Sequence, residues 1–322
     1  MMVRTCTLIS SLLIAASTAA PVAAQQQPAP TPPTASAPVA SAPPADAANT
    51  DRLAPSAAPA DAPPPTSDEP ASATKDWVIE LNPRLWWVSP SGEVTFPGGG
   101  EELEIEELNL DTPAFTPAGS FSINADKFRV SFFGASYSQD AEFGVGASPL
   151  AVGPITLAPG SSAESSFDLG IYEINVGYRF LRHDFKKSTK DQEVSADLQL
   201  DLYGVAGVRA YDLGIGVSQA STGEVNVDQF YVEPLIGIRS EFIIIRDFSM
   251  NLQLDAGAFG DSDRSSFSFN IAVDFEWRPI HWLGIQLGWR QLLYSFNDGD
   301  DANEFKYQGG MAGLFTGVVI RF

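Results

Sequence analysis

From Trp77 to Phe322 apolar and polar residues alternate with a period of two, and no sustained helical period interrupts them. In the first run Trp77, Ile79, Leu81, Leu85 and Trp87 fall on one face, with Glu80, Asn82 and Arg84 on the other. Phe128, Val130 and Phe132 alternate with Arg129 and Ser131, and Tyr172, Ile174, Val176, Tyr178 and Phe180 with Glu173, Asn175, Gly177 and Arg179. Further runs lie at 198–202, 230–239, 250–256, 267–277, 283–290 and 314–322. With a weaker run near Phe115–Ala125, the pattern predicts about ten strands of roughly 10–14 residues, the length a tilted membrane-spanning strand needs. Eight or twelve strands are the alternatives.

Alternation alone also suits a soluble sandwich, so the connections decide. They alternate in length: long segments at Ser89–Asp111, Gln139–Ser166 and Asp212–Asp228, tight turns at Asp126–Lys127, near Arg246–Asp247 and at Arg278–His281. Aromatic residues gather at the tight-turn ends of the runs: Trp77, Phe128, Phe180, Phe242, Trp277, Trp282 and Phe322. Long outer loops, short periplasmic turns and an aromatic girdle predict a closed antiparallel up-and-down transmembrane β-barrel over residues 77–322. Two features run against the pattern. The Leu181–Val194 turn is long and charged, and Asp261–Ser265 is short. Pro83 and Pro234 fall inside strands, where a missing N–H breaks a ladder bond, and are expected to mark bulges.

The last run, Thr316-Gly317-Val318-Val319-Ile320-Arg321-Phe322, resembles the C-terminal β-signal of outer-membrane barrels, with a glycine, alternating apolar residues and a terminal aromatic. The resemblance is to small outer-membrane β-barrel proteins as a class. It implies that the barrel-assembly machinery reads Gly317, Ile320 and Phe322. Ile320 departs mildly from the pattern, which often has an aromatic there.

The part of the chain before the alternation is of another kind. Arg4 followed by the apolar stretch Leu8–Ala20, too short to span a bilayer, reads as a signal peptide over 1–24. Its Cys6 is the only cysteine, and it precedes the apolar stretch, so lipidation is not expected. Residues 25–76 are dominated by Ala, Pro, Ser, Thr and Gln, a composition that cannot bury enough surface to offset ordering. They are expected to form a disordered periplasmic linker, either a spacer or a tether to the cell wall. The net charge of −21 has no basic stripe and argues against nucleic acid as a partner. The expected partners are outer-membrane lipid and lipopolysaccharide, the latter bridged by divalent cations to the acidic outer loops, such as Glu101–Glu107 and Asn297–Glu304. No metal or other cofactor is expected.

The polar face carries the candidate chemistry. A Gly-x-Arg unit recurs at Gly177–Arg179, Gly207–Arg209, Gly237–Arg239 and Gly288–Arg290. Residues two apart share a strand face, so each missing side chain is expected to leave room for the neighbouring guanidinium. Glu173, Asp201, Glu233, Asp255, Asp274 and Glu276 are expected on the same inward face as Arg179, Arg209, Arg239 and Arg290. This set makes a lumen of Arg–carboxylate pairs. It reads as a plug, giving a structural or surface-interaction role, or as a narrow charged diffusion channel. His183 and His281 both fall in periplasmic turns, and no Ser/His/Asp grouping shares a face, so an enzyme is not expected.

Overall fold

The computed structural model describes residues 77–185, 198–245, 247–300 and 303–322. The chain divides into Met1–Asp68 and Glu69–Phe322, and every described residue belongs to the second unit. The expected signal peptide and linker, and residues 186–194 of the charged turn, lie outside the described residues.

The described strands are β1 (Trp77–Thr95), β2 (Leu103–Glu104), β3 (Ala114–Ala125), β4 (Phe128–Gly144), β5 (Leu150–Val152), β6 (Ile155–Leu157), β7 (Ser162–Phe185), β8 (Leu198–Gln219), β9 (Gly223–Ile245), β10 (Phe248–Gly260), β11 (Arg264–Ile280), β12 (Leu283–Asp298) and β13 (Phe305–Arg321). Apart from β2 and the small β5–β6 hairpin, each pairs antiparallel with its neighbours in sequence. β13 also pairs back onto β1, from Glu80↔Arg321 to Thr95↔Lys306, which closes a ten-stranded barrel. Stepping across the ladders from Glu80 through Ser122, Ser131, Asn175, Gly207, Leu235, Gly257, Ser268, Tyr294 and Gly309 leads back to β1 at Gly92. That offset along β1 corresponds to strands tilted by about 40° to the barrel axis.

The apolar face changes sides along most of the long strands, though β11 keeps Phe267 outward and Ser266 and Ser268 inward up to its outer end. On β1, Trp77, Ile79, Leu81, Leu85 and Trp87 point outward and are exposed, as a lipid-facing belt requires, while Glu80 and Asn82 are buried inside. From Trp86 upward the inward residues become apolar, with Val88 and Val94 fully buried, and the outward ones polar. β7 changes over in the same way: Tyr172, Ile174, Val176 and Tyr178 face out below, whereas Phe167, Leu169 and Ile171 are buried within above. At about 3.3 Å per residue and this tilt, the outward apolar stretch from Trp77 to Trp87 stands about 25 Å tall. The barrel is therefore polar inside where it meets lipid. Above the belt it becomes an ordinary β-protein with an apolar core.

This second zone explains where the strand ends depart from expectation. β1 runs to Thr95, β4 to Gly144, and β7 begins at Ser162, so the expected loops Ser89–Asp111 and Gln139–Ser166 are shorter than the sequence suggested. The expected loop Asp212–Asp228 is almost wholly strand: Leu213, Ile215, Val217, Val225 and Val227 are buried, and β8 turns into β9 at 220–222, with Gly223 at a φ of 106°. Strands of 22 to 24 residues replace the roughly 10–14 expected for β7, β8 and β9 because they continue past the membrane. His183 lies in β7, not in a turn. The tight turn at Asp126–Lys127 is present, with Asp126 at a φ of 49°.

Neither proline marks a bulge. Pro83 keeps register with Gly119 of β3 but interrupts the β1–β13 ladder, which skips from Leu81↔Ile320 to Arg84↔Gly317. Pro234 pairs with Val208 of β8, and the β9–β10 ladder ends beside it at Leu235↔Gly257. Each proline sits where a ladder lapses on one side, which is how a residue without an N–H is accommodated.

Candidate functional site

The inner wall of the lipid-facing zone presents the candidate residues as a layer with Arg209 at its centre. Arg209 and Glu173 are direct partners across β7 and β8, with Nε 2.9 Å from Oε1. Nη2 reaches Asp255 Oδ1 of β10 at 2.5 Å, and Nη1 donates to Ser268 Oγ of β11 at 2.7 Å. Ser268 donates in turn to Glu233, which lies 3.8 Å from Arg209 and also accepts from Tyr211 OH at 3.3 Å. Arg290 pairs with the same Glu173 oxygen, donates through Nε to Asn270 Oδ1 at 2.7 Å, and lies 4.2 Å above the Phe133 ring. Asn270 then donates to Asp255 Oδ2 at 2.8 Å. Arg209 is 0% exposed. So deeply buried a guanidinium persists because each of its three nitrogens meets an acceptor, although Glu233 Oε2 has no hydrogen-bond partner.

Below this layer the pairing is looser than a wall of ion pairs. Arg239 donates to Asn251 Oδ1 at 3.2 Å, and Asn251 donates to Asp274 Oδ1 at 2.8 Å, so an amide stands between this arginine and this aspartate. Glu276 pairs with Arg278 at 3.2 Å, and Arg179 and Arg182 share Asp201 at 3.3 and 2.8 Å. Glu80 bridges Arg129, at 3.1 Å, and Arg321, linking β1 to β4 and β13. Glu80, Arg129 and Arg321 belong to the network, yet the Gly-x-Arg repeat does not point to them. Their inward parity on β1, β4 and β13 was the available signal.

At Gly207, Gly237 and Gly288 the missing side chain makes room for the residue opposite, whereas a Cβ on Gly177 would meet Arg129 only at van der Waals distance. Gly177, Gly207, Gly237 and Gly288 stand opposite Arg129, Asn175, Asp255 and Asp274. A Cβ on Gly207 would collide with Asn175, and one on Gly237 with Asp255. Inward positions thus alternate large and empty around the ring, as a narrow barrel interior demands.

Among the described residues the polar lumen opens at the tight-turn end. A vestibule of about 700 Å³ at the tight-turn end is lined by Trp77, Asp126, Arg179, Arg182, Asp201 and Tyr203 among others. It shares Glu80, Arg129, Glu241 and Arg321 with a cavity of about 80 Å³ that reaches Glu173 and Arg290. Beyond the Arg209 layer the interior is filled by Trp86, Tyr211, Phe167, Tyr294, Phe296 and Tyr307. The segment between β1 and β3 folds into the mouth over them, with Ile105, Leu108 and Leu110 fully buried. It is held by Ser165 Oγ donating to Leu108 O at 2.7 Å and Tyr137 OH to Thr112 O at 3.2 Å.

The outer faces of the projecting strands are acidic. Across β4, β7, β8 and β9 the exposed positions above the belt include Asp140, Glu142, Glu164, Asp168, Asp212, Glu224 and Asp228. Among the described residues no group of three or more His, Cys, Asp or Glu is arranged to hold a metal ion.

Gly317 faces inward, where a Cβ would press on Pro83 and Arg84, and the terminal residue closes the seam. Phe322 N donates to Ile79 O at 2.9 Å, and Ile79 N to Phe322 O at 3.1 Å. The Phe322 ring points outward, and Ile320 lies on the same face, half-buried.

No protein-family model matches this chain, and no curated protein matches it. Solved structures do resemble it. The outer membrane protease OmpT from Escherichia coli is 10% identical with a TM-score of 0.43, over 77% of this chain and 98% of that one. OmpT of Vibrio cholerae is 8% identical with a TM-score of 0.26, over 77% and 97%. The P. putida toluene transporter TodX is 8% identical with a TM-score of 0.25, over 76% and 90%. Since a protease stands among these neighbours, the expectation that the chain is not an enzyme is withdrawn. The ring of strands, its apolar outer belt and its polar interior give this chain the architecture of a small integral outer-membrane β-barrel.

Proposed function

We propose that this barrel is a closed scaffold that holds an acidic, strand-built projection above the outer membrane as a surface-interaction element. The observation that supports this reading is the packing of the interior: among the described residues the buried Arg209 layer lies under an apolar core, and the vestibule narrows toward it. A diffusion channel needs a continuous polar path, and among the described residues the cavity reaches no further than Glu173 and Arg290 before the apolar core. The outer strands extend about 20 Å above the lipid belt, enough to carry a binding surface clear of the bilayer.

In the same reading residues 1–24 direct export, and 25–76 form a periplasmic linker that reaches toward the cell wall. The assembly machinery reads Gly317, Ile320 and Phe322. Lipopolysaccharide surrounds the acidic projection, with divalent cations offsetting the like charge. The deciding experiment is planar-bilayer conductance of the folded chain. Silence is expected from protein that shows the heat-sensitive gel mobility of a closed barrel. Discrete steps that change in Arg209→Ala or Arg290→Ala would replace the scaffold with a pore.

A further inference from the structure

Strand β9 outlasts its neighbour. Its ladder to β10 ends at Leu235↔Gly257, yet above that point β9 continues as far as Gly223 paired only with β8, while the β5–β6 turn at Gly153 packs on the Val225 side. Arg264 of β11 covers the first part of the bare edge. Its Nη2 donates to Phe230 O at 2.7 Å and Gln229 Oε1 at 3.0 Å, and its guanidinium lies 4.3 Å above the Tyr231 ring. Beyond Arg264, from Gly223 to Asp228, no backbone hydrogen bond is made on the β10 side among the described residues. The register with β8 is continuous here, and the segment holds no proline, lysine or bulge. The usual devices that blunt an edge strand are missing, apart from its acidic residues.

The chemistry of the edge names what fits it. Glu224, Asn226 and Asp228 are exposed on the outer face, with Val225 and Val227 buried on the other. Glu164 and Asp168 of β7 stand two strands away on the same outer face. A second copy of β9 pairing antiparallel would bring Glu224 and Asp228 of both chains together, and facing like charges are destabilising. An added strand with basic residues at alternate positions meets the opposite situation.

We propose that the Gly223–Asp228 edge takes up an extended peptide of alternating basic and apolar residues as a further antiparallel strand. Its basic side chains oppose Glu224 and Asp228, and its apolar side chains lie on the side of Val225 and Val227. Main-chain hydrogen bonds supply affinity, and the alternating side chains supply selectivity. The proposal rests on the reading of the projection as a surface-interaction element, and two measurements keep the two apart.

First, Asn226→Cys is labelled on intact cells with a membrane-impermeant maleimide; the chain's one native cysteine, Cys6, lies in the expected signal peptide. Labelling is expected, and its absence overturns both readings by placing the edge away from the surface. Second, a fluorescent Lys-Val-Lys-Val-Lys-Val-Lys peptide is titrated against the full chain in detergent micelles. Saturable binding is expected, weakened at least tenfold by Glu224→Lys with Asp228→Lys. The peptide is then made in two N-methylated forms, one blocked at the valine amides and one at the lysine amides. Strand pairing uses only one of these sets, so one form is expected to lose at least tenfold and the other to bind nearly as the parent. Equal binding of both forms, or no binding to a surface-labelled chain, overturns the edge proposal and leaves the scaffold reading in place.

Discussion

Arg209 and Glu173 stand directly opposite each other across the β7–β8 ladder, and this pair marks the level at which the barrel interior changes from polar to apolar. Above it the inward residues of β7 and β8 are Ile171 and Tyr211; below it they are Asn175 and Gly207. Arg209 also engages Asp255 and Ser268, so four strands meet at one guanidinium. Arg209→Ala leaves Glu173, Asp255 and Glu233 buried with less positive charge among them. A loss of about 3–5 kcal/mol is expected, the range for breaking a buried pair. Urea unfolding of the barrel in lipid vesicles measures it, and a loss under about 1 kcal/mol would mean that water reaches this layer.

The seam between β13 and β1 depends on bare backbone. A Cβ on Gly313 would collide with the Trp87 carbonyl and press on Val88 Cα, whereas one on Gly134 of β4 meets nothing within 4 Å. Gly313→Ala is expected to cost about 3 kcal/mol, at the upper end for overpacking, or to prevent closure outright. Gly134→Ala is expected to be neutral or stabilising by about 0.5 kcal/mol, since alanine restricts the unfolded chain. Heat-sensitive gel mobility reports closure, and the urea midpoint ranks the two variants.

Arg264 acts as a clasp where β10 stops short. Besides its hydrogen bonds to β9 it lies 3.7 Å from Asp298 of β12, so one side chain joins β9, β11 and β12. It is partly exposed, which limits its worth to about 1 kcal/mol. Arg264→Ala should leave global stability nearly unchanged while amide exchange speeds up in Gly223–Pro234. Protection below Leu235, where β9 is held on both sides, should hold. Uniform loss of protection across β9 would show that the segment is not an independent local unit.

The terminal ring separates folding from assembly. The seam bonds of Phe322 are main-chain bonds to Ile79, and its side chain is 73% exposed. Phe322→Ala should therefore change the stability of refolded barrel by no more than about 1 kcal/mol. If the assembly machinery reads the ring, the amount of protein in the cellular outer membrane should fall several-fold. Normal cellular levels would remove the recognition role from Phe322.

Period-two alternation was enough to read the barrel, its strand count and the inward parity of Arg209, Glu173, Asp255 and Arg290. It was not enough to read the projection. Leu213, Ile215 and Val217 alternate just as Leu198, Leu200 and Leu202 do, but the first set faces the core and the second the outer wall. A single strand's pattern gives the period and leaves the side open. The side changes where a polar outward residue such as Asp212 follows an apolar one, and such a place looks like a loop when read without its neighbours. Partners such as Ser268 and Asn251 were missed for a related reason: uncharged residues join the network only through register, which no one strand reveals.

The position of the membrane can be tested by paired substitutions on one outer surface. Ile236 is 73% exposed on β9 below the changeover, and Asp168 lies on β7 above it with no basic neighbour paired to it among the described residues. In lipid, Ile236→Arg carries a charge into hydrocarbon and should cost about 2–4 kcal/mol, the range for arginine near the bilayer midplane. Asp168→Arg stays in water and should leave the unfolding midpoint unchanged. In detergent micelles, which adapt around a polar side chain, the gap between the two should narrow. If both variants unfold alike in vesicles, the lipid belt does not lie between Trp77 and Trp87, and the projection would have to share the bilayer. The two substitutions sit on strands joined only through β8, far enough apart along the wall for their effects to add when combined.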